Sequence, residues 1–161
     1  MARSSLARDI KKRHPFASPE EEAYLNLWRT FAQFSEGIER LLRQHGLCGT
    51  HYNILRILAG EKAGTGKGLP ALEVRQRLVT RVPDITRLVD KLVEMGLVSR
   101  VRTEADRRVV QLAITAKGDR LAKKLEQPVT DLHQRQLGHM SKQDLGQLSM
   151  LLEAARRAAN E

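Results

Sequence analysis

Cysteine is almost absent from this chain of 161 residues; Cys48 is the only one. One thiol excludes a disulfide within the chain, which fits a reducing compartment. Long apolar runs are missing as well. No stretch approaches the roughly 18 uninterrupted apolar residues of a membrane-spanning helix. The first 15 residues are basic but lack the apolar middle of a secretory signal. Asp9 and the prompt run into a capped helix argue against an organellar transit peptide. The expectation is a cytoplasmic protein. Chemistry-bearing clusters are scarce too. His14, His45, His51, His133 and His139 are scattered, and with a single Cys no metal-ligand spacing emerges. The Gly-rich run 60–68 is not a phosphate-binding P-loop, because Gly68 follows Lys67 where a hydroxyl is needed. No Ser/His/Asp order and no paired carboxylates stand in a catalytic setting. Neither an enzyme nor a cofactor is therefore expected. No internal repeat is present.

Acidic residues are outnumbered. The chain has 28 Lys and Arg against 19 Asp and Glu, a formal net charge of +9. The excess is not uniform. Residues 67–124 hold 14 basic and 7 acidic side chains, and residues 1–17 hold five basic and one acidic. The remainder is close to neutral. Such a distribution favours an anionic partner such as nucleic acid. A solubilising surface is the plainer alternative.

Residues 1–17 read as a flexible basic arm. Ser18-Pro19-Glu20-Glu21 then starts a helix, with Ser at the N-cap, Pro at the first helical position and Glu at the third. Tyr24, Leu27, Trp28, Phe31, Phe34, Ile38, Leu41 and Leu42 recur at spacings of three and four, giving a long amphipathic helix that ends near Gly46. A second helix is expected from Gly49 to Ala59, a Gly-rich loop over 60–68, and a short helix over Pro70–Leu78. The turn Thr80-Arg81-Val82-Pro83 leads into a helix over Pro83–Met95, ended by Gly96 as a left-handed residue. Leu97–Arg102 and Arg108–Ile114 read as strands, the second from its period-two alternation. Thr115 caps a long helix bent at Pro128, and Ser141 caps the last one. The outer helices are too long and too apolar on one face to be covered by so small a central module. Packing on each other and on a second copy would cover them.

A helix followed at once by a charged hairpin is the most informative pattern. In a helix-turn-helix, the early residues of the second helix approach base edges in the major groove. Here these are Pro83, Asp84, Thr86, Arg87 and Lys91, with Arg81 in the turn before them. Pro83 is expected at the first helical position, fixing the entry angle. A bidentate Arg–guanine contact discriminates by about 1–3 kcal/mol. The hairpin offers Arg100, Arg102, Asp106, Arg107 and Arg108. Narrow minor grooves attract inserted Arg, and Asp106 is placed to hold Arg108 in one pose. An exposed helix face or a solvated β-turn is the bland reading of each element alone. Helix, hairpin and charge together point to double-stranded DNA.

The run Ile85-Thr86-Arg87-Leu88-Val89-Asp90-Lys91-Leu92, then Gly96-Leu97-Val98, then Asp106-Arg107-Arg108, then Ile114-Thr115-Ala116-Lys117-Gly118, resembles the MarR family of bacterial transcriptional regulators. The resemblance covers most of residues 20–158; the basic arm and the Gly-rich loop lie outside the family pattern. It implies a mainly α fold with a small β-wing (α+β). One domain over 18–161 would hold a winged helix at about 49–115, flanked by dimerisation helices at about 18–46 and 115–159. It further implies a homodimer on a pseudo-palindromic operator, with Asp106 and Arg108 as the wing pair and Arg87 on the recognition helix. Repression by promoter occlusion, often relieved by a small aromatic or phenolic ligand, would follow, with the protein on the nucleoid. Activation on the same fold, or a winged helix that only binds proteins, are rivals.

Position within the family suggests ligand-lining residues Trp28, Phe31, His51, Tyr52 and Arg56. The plainer reading of Trp28 and Phe31 is core. Cys48, at a helix start, is a candidate for redox response. Redox-sensing relatives carry their cysteine near the start of the first helix instead, which favours an inert thiol.

Overall fold

The computed structural model describes residues 5–64, 68–102 and 110–158. In chain order the elements are α1 (Ser5–Asp9), α2 (Pro19–Arg43), α3 (Gly49–Gly64), β1 (Leu69–Pro70), α4 (Ala71–Arg77), α5 (Ile85–Glu94), β2 (Val98–Arg102), β3 (Val110–Ile114), α6 (Ala116–Leu137) and α7 (Lys142–Ala158). The mainly α architecture with a small antiparallel sheet is as expected. The sheet has the order β1-β3-β2, with Leu69 opposite Leu112 and Val98 opposite Ile114. The two-residue β1 has no sequence signal, because neither strand alternation nor a turn motif shows in so short a segment.

Local chemistry sets the helix ends. Ser18 caps α2, its hydroxyl accepting from the Glu21 N–H at 3.2 Å. Thr115 caps α6 in the same way, accepting from Gly118 N–H at 3.0 Å. Ser141 Oγ accepts from Asp144 N–H at the start of α7. Pro128 lies within α6 as read from the sequence. At the end of α5, Gly96 has φ +68°, the left-handed conformation that favours glycine.

One core serves the central module. Leu42 from α2, Ile54, Leu55 and Leu58 from α3, Val74 from α4, Val89 and Leu92 from α5, Leu112 from β3 and Leu125 from α6 are almost fully buried. They meet in a single cluster. The spacing of Leu55 and Leu58, and of Val89 and Leu92, had marked these faces as inward. Straps fix α6 to its neighbours. Gln136 donates to the Phe34 carbonyl at 3.1 Å, Arg56 pairs with Glu126 at 3.1 Å, and Lys62 with Asp119 at 3.1 Å.

Four expectations need correction. Residues 1–17 are not wholly an unstructured arm. Ser5–Asp9 is helical and buries Leu6 and Ala7, and Lys12 pairs with Glu21 of α2 at 3.3 Å. Apolar residues in a basic segment were enough to dock it. The expected loop start at Gly60 is helical, since α3 continues to Gly64; a glycine lowers helix propensity by only about 1 kcal/mol. Pro83 is not the first residue of its helix. Asp84 is the N-cap and its carboxylate accepts from the N–H groups of Thr86 and Arg87 at 2.9 and 3.3 Å. An Asp cap satisfies two orphan donors, which Pro at the first position does not compete with. Finally, Trp28 and Phe31 are not core of this chain, being 61% and 62% exposed.

Candidate nucleic-acid interface

The helix-turn-helix is α4, the turn 78–84, and α5. Val74 and the inward face of α5 hold the pair on the core. This leaves Thr86, Arg87 and Lys91 exposed on the opposite face, with Asp84 and Pro83 at its N-terminal end and Arg81 in the turn. The structure therefore places six of the ten sequence-predicted DNA residues on the turn before α5 and along the exposed face of α5. Arg102 ends β2, paired with Val110. Asp106, Arg107 and Arg108 lie outside the described residues, between the two strands of the wing.

The cations of this face are not equivalent. Lys91 pairs with Glu94 at 3.5 Å. Arg100 on β2 pairs with Asp90 on α5, tying the root of the wing to the recognition helix. Arg77 is held by Glu73 and by Glu61. Arg75, Arg81 and Arg87 make no ion pair among the described residues. Their charge is thus uncommitted and available to phosphate or to guanine. Sequence reasoning had not separated paired from unpaired cations, because Asp90–Arg100 joins residues on different elements. A cleft of about 840 Å³ runs between the start of α3 and α5, walled by Thr50, His51, Pro83, Asp84, Arg87 and Lys91 among others.

Behind the exposed face of α5, the C-terminal end of that helix is tied to the start of α6. The Thr115 hydroxyl donates to the Gly96 carbonyl at 2.8 Å, and Lys117 Nζ to the Met95 carbonyl at 2.7 Å. A Cβ on Gly118 would sit 2.1 Å from the Leu97 carbonyl oxygen. The GLV and ITAKG motifs are therefore two halves of one junction, which fixes the angle between recognition helix and long outer helix.

The five ligand candidates are not brought together within one chain. Trp28 lines a small apolar cavity of about 280 Å³ with Leu6, Ile10 and Leu25. Arg56 lines another of about 350 Å³ between α3 and α6, with Lys62, Asp119 and Glu126. His51 lies in the cleft beside α5. Tyr52 packs half-buried against the core, and burial raises its pKa. Phe31 is on the exposed stripe of α2. His51 Nδ1 accepts from the Cys48 N–H and faces the Cys48 thiol, each at 3.2 Å. Its Nε2 is buried without a partner among the described residues. Burial lowers the His51 pKa, opposed by Glu39 and assisted by Lys91. A neutral imidazole with its proton on Nε2 fits this geometry. Cys48 is half-buried at the N-terminus of α3. Among the described residues no group of three His, Cys, Asp or Glu side chains could hold a metal ion, and no helix is long and apolar enough to cross a membrane.

A family model described as transcriptional regulator SarA/Rot matches residues 37–125, from the last third of α2 through the winged helix into α6. The chain belongs to the MarR/SarA family of winged-helix transcriptional regulators. Other likenesses agree with that family assignment. The HTH-type transcriptional repressor IacR of Pseudomonas putida is 26% identical over 156 residues, spanning 93% of this chain and 89% of IacR. The crystal structure of a MarR transcription factor from Planctomyces limnophilus is 41% identical with a TM-score of 0.65, covering 87% of this chain and 99% of that one. CouR of Rhodococcus jostii RHA1, solved bound to p-coumaroyl-CoA, is 26% identical with a TM-score of 0.71, covering 87% of this chain and 95% of CouR. These MarR-family relatives are regulators of transcription, not enzymes, and DNA is the partner class the fold serves.

Proposed function

We propose that this protein is a homodimeric repressor that occludes a promoter and releases it when a small aromatic ligand binds. The observation that carries the DNA side is the uncommitted Arg87 on the exposed face of a core-anchored α5, with its first turn capped by Asp84. The recognition helix enters the major groove, and the hairpin carrying Asp106, Arg107 and Arg108 reaches the adjacent minor groove. The dimer is supported by the stripe Tyr24, Leu27, Trp28 and Phe31 on α2, each at least half exposed, and by Met150 and Leu151 on α7. Contiguous apolar surface of this kind marks an interaction site. Two copies interlocking these helices place two α5 helices on one face of the duplex. Repression is supported by the likeness to IacR, and a ligand by the likeness to CouR.

Charge reversal tests the DNA side. Arg87→Glu lowers affinity for the bound promoter fragment by at least tenfold and flattens its salt dependence, since each lost phosphate contact removes about one unit of slope. Unchanged affinity would contradict the reading and favour a winged helix that binds protein. Titration with aromatic acids and their acyl thioesters tests the ligand side: one of them weakens operator binding. Indifference to the whole panel would contradict it.

A further inference from the structure

We infer that Val79, in the turn between α4 and α5, reads a thymine through its 5-methyl group, while Arg75 and Arg81 hold the flanking backbone phosphates. This rests on the DNA-binding reading of the same module. Val79 is 87% exposed, the most exposed large hydrophobic side chain among the described residues. One exposed apolar residue is ordinary, so its surroundings decide.

First, Val79 is fixed. Its N–H donates to Asn53 Oδ1 at 3.0 Å, from a side chain of α3 across the module. The flanking Leu78 and Val82 pack against the core cluster. Branching at Cβ restricts χ1, so holding the backbone also narrows where the two methyls can point. The group stands out to solvent from a turn tied to α3 by this hydrogen bond.

Second, its neighbours suit a polyanion. A cleft of about 540 Å³ between the end of α4 and the start of α5 is lined by Arg75, Leu78, Val79, Arg81, Val82 and Pro83, with Gln76 beside them. Arg75 and Arg81 are exposed and carry no ion pair among the described residues, whereas Arg77, two residues from each of Arg75 and Val79, is neutralised by Glu73 and Glu61. Among the described residues of α4, the turn and α5, the unpaired positive charge thus stands on both sides of Val79 and on Arg87. Third, the major groove offers an apolar side chain one apolar target on a base edge, the thymine methyl. Pro83 and Val82 wall both this cleft and the one along α5. That places Val79 at the N-terminal end of the recognition helix, where base edges come within reach.

The test deletes the methyl on either side of the contact. A preferred site is selected from random duplexes with the purified protein. Each thymine is then replaced by deoxyuridine, and affinities are measured for the unaltered protein and for Val79→Ala. Loss of one buried methyl contact costs about fourfold per half-site. The expected result is one thymine per half-site whose replacement weakens the unaltered protein about that much and leaves Val79→Ala unaffected. Arg75→Gln and Arg81→Gln each lower the salt slope by about one. A circular dichroism melt for Val79→Ala that matches the unaltered protein shows that the fold is intact. Losses that add independently at every thymine, or a bound site insensitive to all replacements, overturn the assignment to Val79 while leaving DNA binding in place. If no duplex is enriched, the DNA-binding reading itself fails, and this inference with it.

Discussion

The winged-helix core and the long outer helices treat their apolar residues in opposite ways. In the core, Leu42, Ile54, Leu55, Leu92 and Leu112 are sealed within one chain. On α2, Tyr24, Leu27, Trp28 and Phe31 stand in the open, and none of the described residues of α7 is fully buried. The same spacing rule produces both faces. The core is complete as a single chain; the outer helices make structural sense as halves of an interface. A DNA reader of this design divides its labour accordingly. In the proposed dimer the core holds each α5 in place, and the outer helices set how far apart the two α5 helices sit. The junction at Gly96, Thr115 and Gly118 is where one region passes its geometry to the other.

Substitutions can separate the two regions. The largest effect is expected in the core. Leu92→Ala removes a fully buried side chain and should destabilise the fold by about 2–5 kcal/mol in denaturant unfolding. A loss under 1 kcal/mol would mean the core is less closed than it stands here. Next comes the outer stripe. Trp28→Glu with Phe31→Glu should leave the far-ultraviolet spectrum intact, convert the protein to a monomer in sedimentation, and weaken operator binding more than tenfold. A dimer that survives both changes would place the interface elsewhere. Smaller again is the cap of the reading helix. Asp84→Ala should cost about 1 kcal/mol, because two N–H groups at the start of α5 lose their acceptor.

The smallest effect is a pH dependence. Burial pushes the His51 pKa in the fold below the ordinary value. The unfolded chain therefore binds the proton first as pH falls, and stability drops as pH goes below about 6.5. The loss levels off once pH passes below the depressed folded value. His51→Gln should remove this part of the pH profile in denaturant unfolding. A profile that keeps its full slope in the variant would assign the effect to other groups.

Much of this was legible in the sequence, for physical reasons that differ by region. Leu55, Leu58, Val89 and Leu92 announced their burial through helical spacing, and Thr115 and Ser141 their capping through the residues that follow. The exposed face of α5 was legible because Thr86, Arg87 and Lys91 share one side of a short amphipathic helix. Pairings across elements were not. Asp90–Arg100 and Asn53–Val79 join residues that no local pattern connects, so the division of cations into committed and free was hidden. The exposure of Trp28 and Phe31 was hidden for another reason. Periodicity marks an apolar face, but it does not say whether the covering surface comes from the same chain. The docking of Leu6 and Ala7 escaped notice because the basic residues around them dominate the composition of that segment.

The central claim is that two copies of one reading module are set against DNA by the outer helices. Selection of bound duplexes from a random pool, with the number of chains per duplex measured by sedimentation, tests it directly. The expected result is an inverted repeat with half-sites about one helical turn, roughly 10 base pairs, apart, occupied by two chains. A single asymmetric site bound by one chain would contradict it.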